Sequence, residues 1–319
     1  MSYRKEAYPK TVIKISSKTE FDREMRRIKQ TFLKQKITED NWDDYKRVIE
    51  SITKWCMEDQ VYEYPGFIDY IKELKELIIS SLTSERTILS STAVDLLIAL
   101  AKCLNTKFDP INEMILPTIR QLFGRSNKVH VSRSVAGYKQ VIKDAKLLRT
   151  IPRFCSLLSN QQHQRNDPAR VYIAECLESL ILANPPEKVS KYLQEIEAAI
   201  QVISVDANPE VRHQARQCFE SYMQIFPQQA EGMLKTASRD VLKYLVSTVK
   251  RIPPKQIETI PPLPQTRLIR KMKRMDLKDQ VRRMLDGSKG KDFSSKITLK
   301  NGVPYYSKPI VFRKDQIKE

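Results

Sequence analysis

The chain has 319 residues, long enough for one or two globular domains or for one repeat array with a tail. Hydrophobic residues at 41% suffice for a core, and only 7 glycines speak against a β-rich or nucleotide-loop architecture. A net charge of +18 points to an acidic polymer or surface as partner. That excess is uneven. Residues 251–319 hold 18 Lys and Arg against 7 Asp and Glu, a surplus of 11. The five cysteines, Cys56, Cys103, Cys155, Cys176 and Cys218, are scattered without a CxxC and read as reduced thiols of an intracellular protein. Met1 to Lys18 is polar and lysine-rich, without the apolar centre of a signal peptide. The longest apolar run, Ala93 to Ala101, is interrupted by Asp95 and falls short of the roughly 20 residues a bilayer span needs. A soluble protein without membrane contact is expected.

In chain order, residues 1–18 form an N-terminal extension, expected to be disordered or loosely attached. Phe21, Met25, Ile28, Phe32 and Leu33 then predict a helix over about 19–35, and Trp42 opens its partner with Tyr45, Val48, Ile49, Ile52 and Trp55. A helix over 67–82 buries Phe67, Tyr70, Ile71, Leu74 and Ile78, and its partner after Arg86 buries Ile88, Leu96, Leu97 and Leu100. Helix 110–123 carries Pro117, a candidate kink, before a partner that uses Val131, Val135, Tyr138 and Ile142. Leu147, Ile151, Phe154 and Leu158 begin a fourth pair; Val189, Leu193, Ile196 and Ile200 begin a fifth. The second helix of that fifth pair follows Asp206-Ala-Asn-Pro209, with Asn208 as N-cap and Pro209 at the first helical position. A last helix over 238–250 closes the array.

Subtracting 42 repeatedly from Arg212 gives Arg170, Lys128 and Arg86, and 44 more gives Trp42; each stands where a polar loop enters an apolar helix. Five such junctions at a period near 42 mark a two-helix solenoid of the HEAT or armadillo type, whose repeats run roughly 40–47 residues. The fold class is therefore all-α, an α-solenoid of HEAT-like hairpins over residues 19–250. A Pro-rich linker follows over 251–264, then a basic amphipathic helix over 265–286 of a kind that can pair with a copy of itself. The tail over 287–319 is basic and partly disordered, with Asn301-Gly302 as a hairpin signal.

Catalysis finds little support. His130, His163 and His213 lie apart on polar segments and read as surface histidines, without metal-ligand spacing. GxxxxGK[ST], GxGxxG and GxSxG are absent, so an enzyme, a cofactor and a small-molecule substrate are not expected. Cys176 and Cys218, at matching repeat positions, read as core fillers. In a solenoid the intra-repeat loops line up along one edge, which would place Trp42, Arg86, Lys128, Arg170 and Arg212 in a row. A Trp can anchor in a partner's pocket, and cations can pair with carboxylates along the contact. For Arg170 and Arg212 the competing reading is support of their own fold.

Asn41-Trp-Asp-Asp-Tyr-Lys-Arg47, Ser84-Glu-Arg-Thr87, Asn127-Lys-Val129, and above all Asp206 to Arg216 followed by Phe226-Pro-Gln-Gln-Ala-Glu-Gly-Met-Leu234 resemble a TOG domain of the CLASP type over residues 19–245. The resemblance implies αβ-tubulin binding on the loop edge, with Trp42 on the β-tubulin side, Arg86 and Lys128 next, and Arg170, Arg212 and Arg216 nearer α-tubulin. It further implies regulation of microtubule dynamics and a cytoplasmic, cytoskeletal location at spindle, cortex or axoneme. One TOG unit is present, and Glu258-Thr-Ile-Pro261 and Lys250-Arg-Ile-Pro253 each miss the first position of an end-binding [ST]-x-I-P motif. The tail helix cations Arg267, Arg270, Lys271, Lys273 and Arg274 would grip the acidic lattice through salt-sensitive attraction. A nucleic-acid binder ranks second, because the tail lacks aromatics among its cations. A general HEAT scaffold for an acidic protein ranks third.

Overall fold

A computed structural model describes residues 8–246, apart from 10, 34 and 161–166, together with 298–300 and 303–305. The chain divides into two compact units, Met1–Pro253 and Pro254–Glu319. In the first unit fourteen helices are described: α1 (Lys18–Phe32), α2 (Trp42–Glu58), α3 (Phe67–Glu73), α4 (Lys75–Leu82), α5 (Thr87–Leu104), α6 (Asp109–Phe123), α7 (Lys128–Ala145), α8 (Thr150–Ser159), α9 (Ala169–Ala183), α10 (Pro186–Val189), α11 (Leu193–Ser204), α12 (Pro209–Ile225), α13 (Pro227–Thr236) and α14 (Arg239–Val246). The second helix of each pair stacks on that of the next, in the order α2, α5, α7, α9, α12. Each pair buries an apolar face against its neighbours, giving one continuous core from Phe21 to Leu245. The five-pair solenoid read from the period is the fold observed.

Several local expectations change. The helix expected over 67–82 breaks at Leu74, whose N–H is shared between the Tyr70 and Ile71 carbonyls. Leu74 is itself buried at the break, and both halves pack on α6. α6 continues through Pro117, which lies on its exposed side. Ile88, expected in the core, is 58% exposed. The buried stripe of α5 is Leu89, Ala93, Leu96, Leu97, Leu100 and Leu104, one residue round the helix from Ile88. The stretch Thr87–Phe123 is apolar enough by length and hydropathy to cross a membrane. Here it is two helices, α5 and α6, each packed in the array.

The described residues of the N-terminal extension, 8–18 apart from 10, form a strap. Tyr8 N–H donates to Asp44 Oδ1 (3.2 Å), the Trp55 indole N–H donates to Ile13 O (2.6 Å), and Ile15 N–H donates to Asp59 Oδ2 (2.9 Å). From Asp44 to Asp59 a helix rises about 22 Å, and from Tyr8 to Ile15 an extended chain covers about 23 Å. The strap therefore runs alongside α2 in the same direction. Tyr8 and Ile15 are buried, and Tyr8 meets Phe32 edge-on while Arg27 stands 4.9 Å over its ring. The strap thus covers part of α1 and α2, the first pair described. In the second unit, β1 (Thr298–Lys300) and β2 (Val303–Tyr305) pair antiparallel with Lys300 opposite Val303; Asn301 and Gly302 lie outside the described residues. The linker and the helix expected over 265–286 lie outside the described residues, as do the last four residues of the helix expected over 238–250.

α5 and α7 approach closely at Gly137, where an added Cβ would stand 2.2 Å from Val94 Cγ1. Only a residue without a side chain lets α5 and α7 come this near. Gly137→Ala should lower unfolding stability by about 1–3 kcal/mol, and Val94→Ala in the same chain should recover part of it; urea unfolding of the three variants measures both.

Candidate functional site: the loop edge

Consecutive second helices run parallel, so their N-terminal ends and the loops before them share one edge. Each loop is built by short polar side chains. Asn41 Oδ1 accepts from Thr38 N (2.7 Å) and its Nδ2 donates to Lys36 O (3.0 Å), folding the first loop under Trp42. Tyr45 Oη donates to Gln35 O (2.8 Å) and anchors α2 on the end of α1. Asn127 Oδ1 caps α7 by accepting from Val129 N (3.0 Å), and Asn208 Oδ1 caps α12 by accepting from Glu210 N (2.9 Å).

Trp42 is the first residue of α2, half-buried, with its indole resting on the core. The Arg86 guanidinium stands 4.7 Å over the Trp42 ring and pairs with Glu39. Cation–π contact of this kind contributes about 0.5–1 kcal/mol at an exposed site. Trp, Arg and Glu from two successive loops thus form one stack. Lys128, at the third loop, is exposed and forms no ion pair among the described residues. Ile88 and Val129, each the second residue of its helix, are 58% and 65% exposed beside Arg86 and Lys128. Both were missed by reading the sequence for charge. A signal was present, since each falls off its helix's buried stripe.

The far half of the edge differs from expectation. Arg170 is 3% exposed and donates through Nε (3.0 Å) and Nη2 (2.7 Å) to Asp206 Oδ2, itself 6% exposed. It lies inside the array, not on its surface. Its charge is spent on holding the fifth loop, where Asp206 Oδ1 also accepts from Asn208 N (2.9 Å). Arg212 folds back on that loop, donating to Asp206 O (2.6 Å) and Ala207 O (2.8 Å), and lies 5.1 Å over the Tyr244 ring. Arg216, half-buried, reaches His213 Nδ1 at 3.4 Å. Val205 leaves 40% of its surface exposed between α11 and α12. The row of cations is therefore not a uniform positive strip. The tail cations Arg267, Arg270, Lys271, Lys273 and Arg274 lie outside the described residues.

Among the described residues no group of three His, Cys, Asp or Glu is placed to hold a metal. His130, read as a surface residue, is 4% exposed between α5 and α7, against Ser90 Oγ (3.3 Å) and Thr87 Oγ1 (3.5 Å). His213 is exposed, and His163 lies outside the described residues. Burial pushes the thiols of Cys56, Cys176 and Cys218 far up and that of Cys155 up to about 12, so none is a thiolate at neutral pH.

The family model described as CLASP N terminal matches residues 21–246, most of the chain. This chain belongs to the CLASP N-terminal family. Protein peg1 of Schizosaccharomyces pombe is 27% identical over 213 residues, covering 65% of this chain and 14% of peg1. The chain thus corresponds to a small part of that longer protein. Two solved structures share the fold. The MAST/Orbit N-terminal domain superposes with a TM-score of 0.50 at 11% identity, over 68% of this chain and all of that one. A TOG domain of Crescerin, whose TOG array regulates microtubules in the primary cilium, gives 0.50 at 11% identity over 72% and 89%. The solenoid is a CLASP-type TOG domain.

Breaking the buried Arg170–Asp206 pair leaves one charge unpaired inside the array. Arg170→Ala should cost about 3–5 kcal/mol of unfolding free energy, whereas Lys128→Ala should change it by less than about 0.5 kcal/mol. Urea denaturation of both variants decides whether the two cations differ as their surroundings require.

Proposed function

We propose that the chain binds αβ-tubulin, free or in the microtubule lattice, through the near half of its loop edge, and so regulates microtubule dynamics. The observation that carries this reading is the Trp42–Arg86 stack, an aromatic anchor held in place on an otherwise polar loop. Family membership supports the class of partner. Within this reading Trp42 fills a pocket on the partner, Ile88 and Val129 add apolar contact beside it, and Arg86 and Lys128 meet carboxylates at the rim. Arg212 and Arg216 act at the far end. Arg212 keeps the fifth loop in shape, and Arg216, in polar contact only with His213 Nδ1 among the described residues, is the less engaged of the two. Arg170 is left out of the contact set because it is buried.

The tail adds charge. Arg267, Arg270, Lys271, Lys273 and Arg274 supply salt-sensitive attraction to an acidic lattice, while the loop edge sets orientation. The helix over 265–286 offers a route to self-association. A cytoskeletal location on spindle or axonemal microtubules accords with these partners. No catalytic step or cofactor is part of this reading.

Co-sedimentation with stabilised microtubules and size-exclusion with soluble tubulin test the assignment. Trp42→Ala should weaken binding by about thirtyfold, the equivalent of about 2 kcal/mol for an anchoring Trp. Ile88→Asp should do nearly as much with unfolding stability unchanged, whereas Trp42→Ala, which also removes an indole resting on the core, should lower stability by about 1–2 kcal/mol without unfolding the domain. A chain ending at Lys250 should retain the Trp42 dependence and lose much of the sensitivity to salt. Binding indifferent to Trp42 and Ile88 but abolished with the tail would overturn the edge assignment.

A further inference from the structure

The second edge of the solenoid, opposite the loops, carries a different chemistry. The C-terminal ends of the second helices meet there. Asn184 Nδ2, just past α9, donates to Lys146 O, just past α7 (2.6 Å), and Cys103 Sγ near the end of α5 lies 3.6 Å from Cys56 O near the end of α2. Among the described residues eleven exposed lysines carry no ion pair. Six of them lie together here: Lys102 and Lys143 in the last turns of α5 and α7, and Lys107, Lys146, Lys188 and Lys191 in the connections that follow α5, α7 and α9. The other five are spread over the strap, the first loop, α4, α7 and α14.

The acids of this edge only partly offset those lysines. Asp109 pairs with Arg149 (3.7 Å) and Glu113 with Arg153 (2.8 Å); Asp144, accepting from the neutral Gln140 Nε2 (2.9 Å), and exposed Glu187 keep their charge, so six lysines here face two free carboxylates among the described residues. Helix-dipole complementation accounts for last-turn lysines such as Lys102 and Lys143, but the remaining four lie beyond the ends of α5, α7 and α9. At Lys146 and Leu147 the backbone takes left-handed φ values of 68° and 41° although neither is glycine. That conformation buries Leu147 and leaves Lys146 exposed. Leu182, the penultimate residue of α9, is 56% exposed on the same edge.

We infer that this edge is a second interaction surface, for an extended acidic polypeptide: a glutamate-rich segment with one apolar or aromatic side chain that rests on Leu182. Neighbouring helices stand 8–10 Å apart, so three connections span about 20 Å, the reach of about six extended residues. Lysines are point charges on flexible stems and suit carboxylates at irregular spacing. No exposed aromatic side chain lies on this edge among the described residues to stack nucleic-acid bases. The surface is separate from the Trp42 edge, and its occupation does not depend on what binds there.

The test uses the full chain and a labelled glutamate-rich peptide carrying one tyrosine. Carbodiimide coupling followed by peptide mapping should give amide links at Lys107, Lys146 and Lys188 or Lys191. In fluorescence anisotropy at low salt, the combined Lys107→Glu, Lys146→Glu and Lys188→Glu variant should bind about tenfold more weakly. Lys14→Glu, Lys36→Glu and Lys75→Glu together make the same change in net charge and should cost less than about twofold. Links confined to residues 251–319, or equal losses in the two triple variants, would overturn the surface. A single-stranded oligonucleotide that loses affinity in parallel with the peptide would reassign it to phosphate polymers and overturn it too.

Discussion

The loop edge is laced by guanidinium groups, each reaching from one repeat to the next. Arg86 of the second loop pairs with Glu39 of the first, and Arg125 of the third reaches Thr83 O and Glu85 of the second. Arg120, from the end of α6, pairs with Asp167 of the fourth loop, Arg170 with Asp206 of the fifth, and Arg212 lies over Tyr244 of α14. A solenoid has no contacts between distant repeats, so its curvature is set one interface at a time. The apolar faces provide most of the burial, yet burial is non-directional. Planar, forked donors fix how far each loop can turn relative to its neighbour.

This use of arginine changes what the edge can offer a partner. A cation buried with its carboxylate, such as Arg170, contributes shape and no accessible charge. One held on an aromatic face, such as Arg86 on Trp42, contributes both, because the stack is half-exposed and already ordered. Preorganisation of this kind lowers the entropy lost when a partner binds. The near half of the edge combines that stack with exposed Ile88, Val129 and Lys128, while the far half is mostly occupied with itself. Six of the eleven exposed lysines without an ion pair among the described residues lie instead on the other edge. Two faces of one array thus separate an anchored, partly apolar surface from a diffuse electrostatic one.

Ends pose a further constraint. A repeat without a neighbour exposes the face on which the next would pack. The strap covers part of the first pair described, with main-chain bonds to Asp44 and Asp59 and the inserted ring of Tyr8. At the other end α13 and α14 cover α12. The strap also bears on the Trp42 edge, since Arg47 donates to Tyr8 O (2.8 Å) while pairing with Asp43 and Asp44 in the first turn of α2.

Much of the fold was legible because its repeat is local. Apolar stripes at helical spacing, a polar loop and an N-cap recur every forty-odd residues, and each repeat packs on the next by the same rule. Asn208, Pro209, Trp55, Cys176 and Cys218 could be placed on that basis. Ile88 was placed one residue wrong round its helix, although the stripe at Leu89, Ala93, Leu96 and Leu100 distinguishes it. The strap could not be read, because extended chain carries no periodic mark and its partners are some forty residues away. By itself the sequence determined the number of hairpins, their register and which cations stand at each loop. Only the tertiary structure decided what those cations do. An arginine at a repeat junction has the same sequence signature whether it meets solvent, as an open contact would, or meets Asp206 inside the array. The difference lies in how close successive loops come, which packing of whole helices sets.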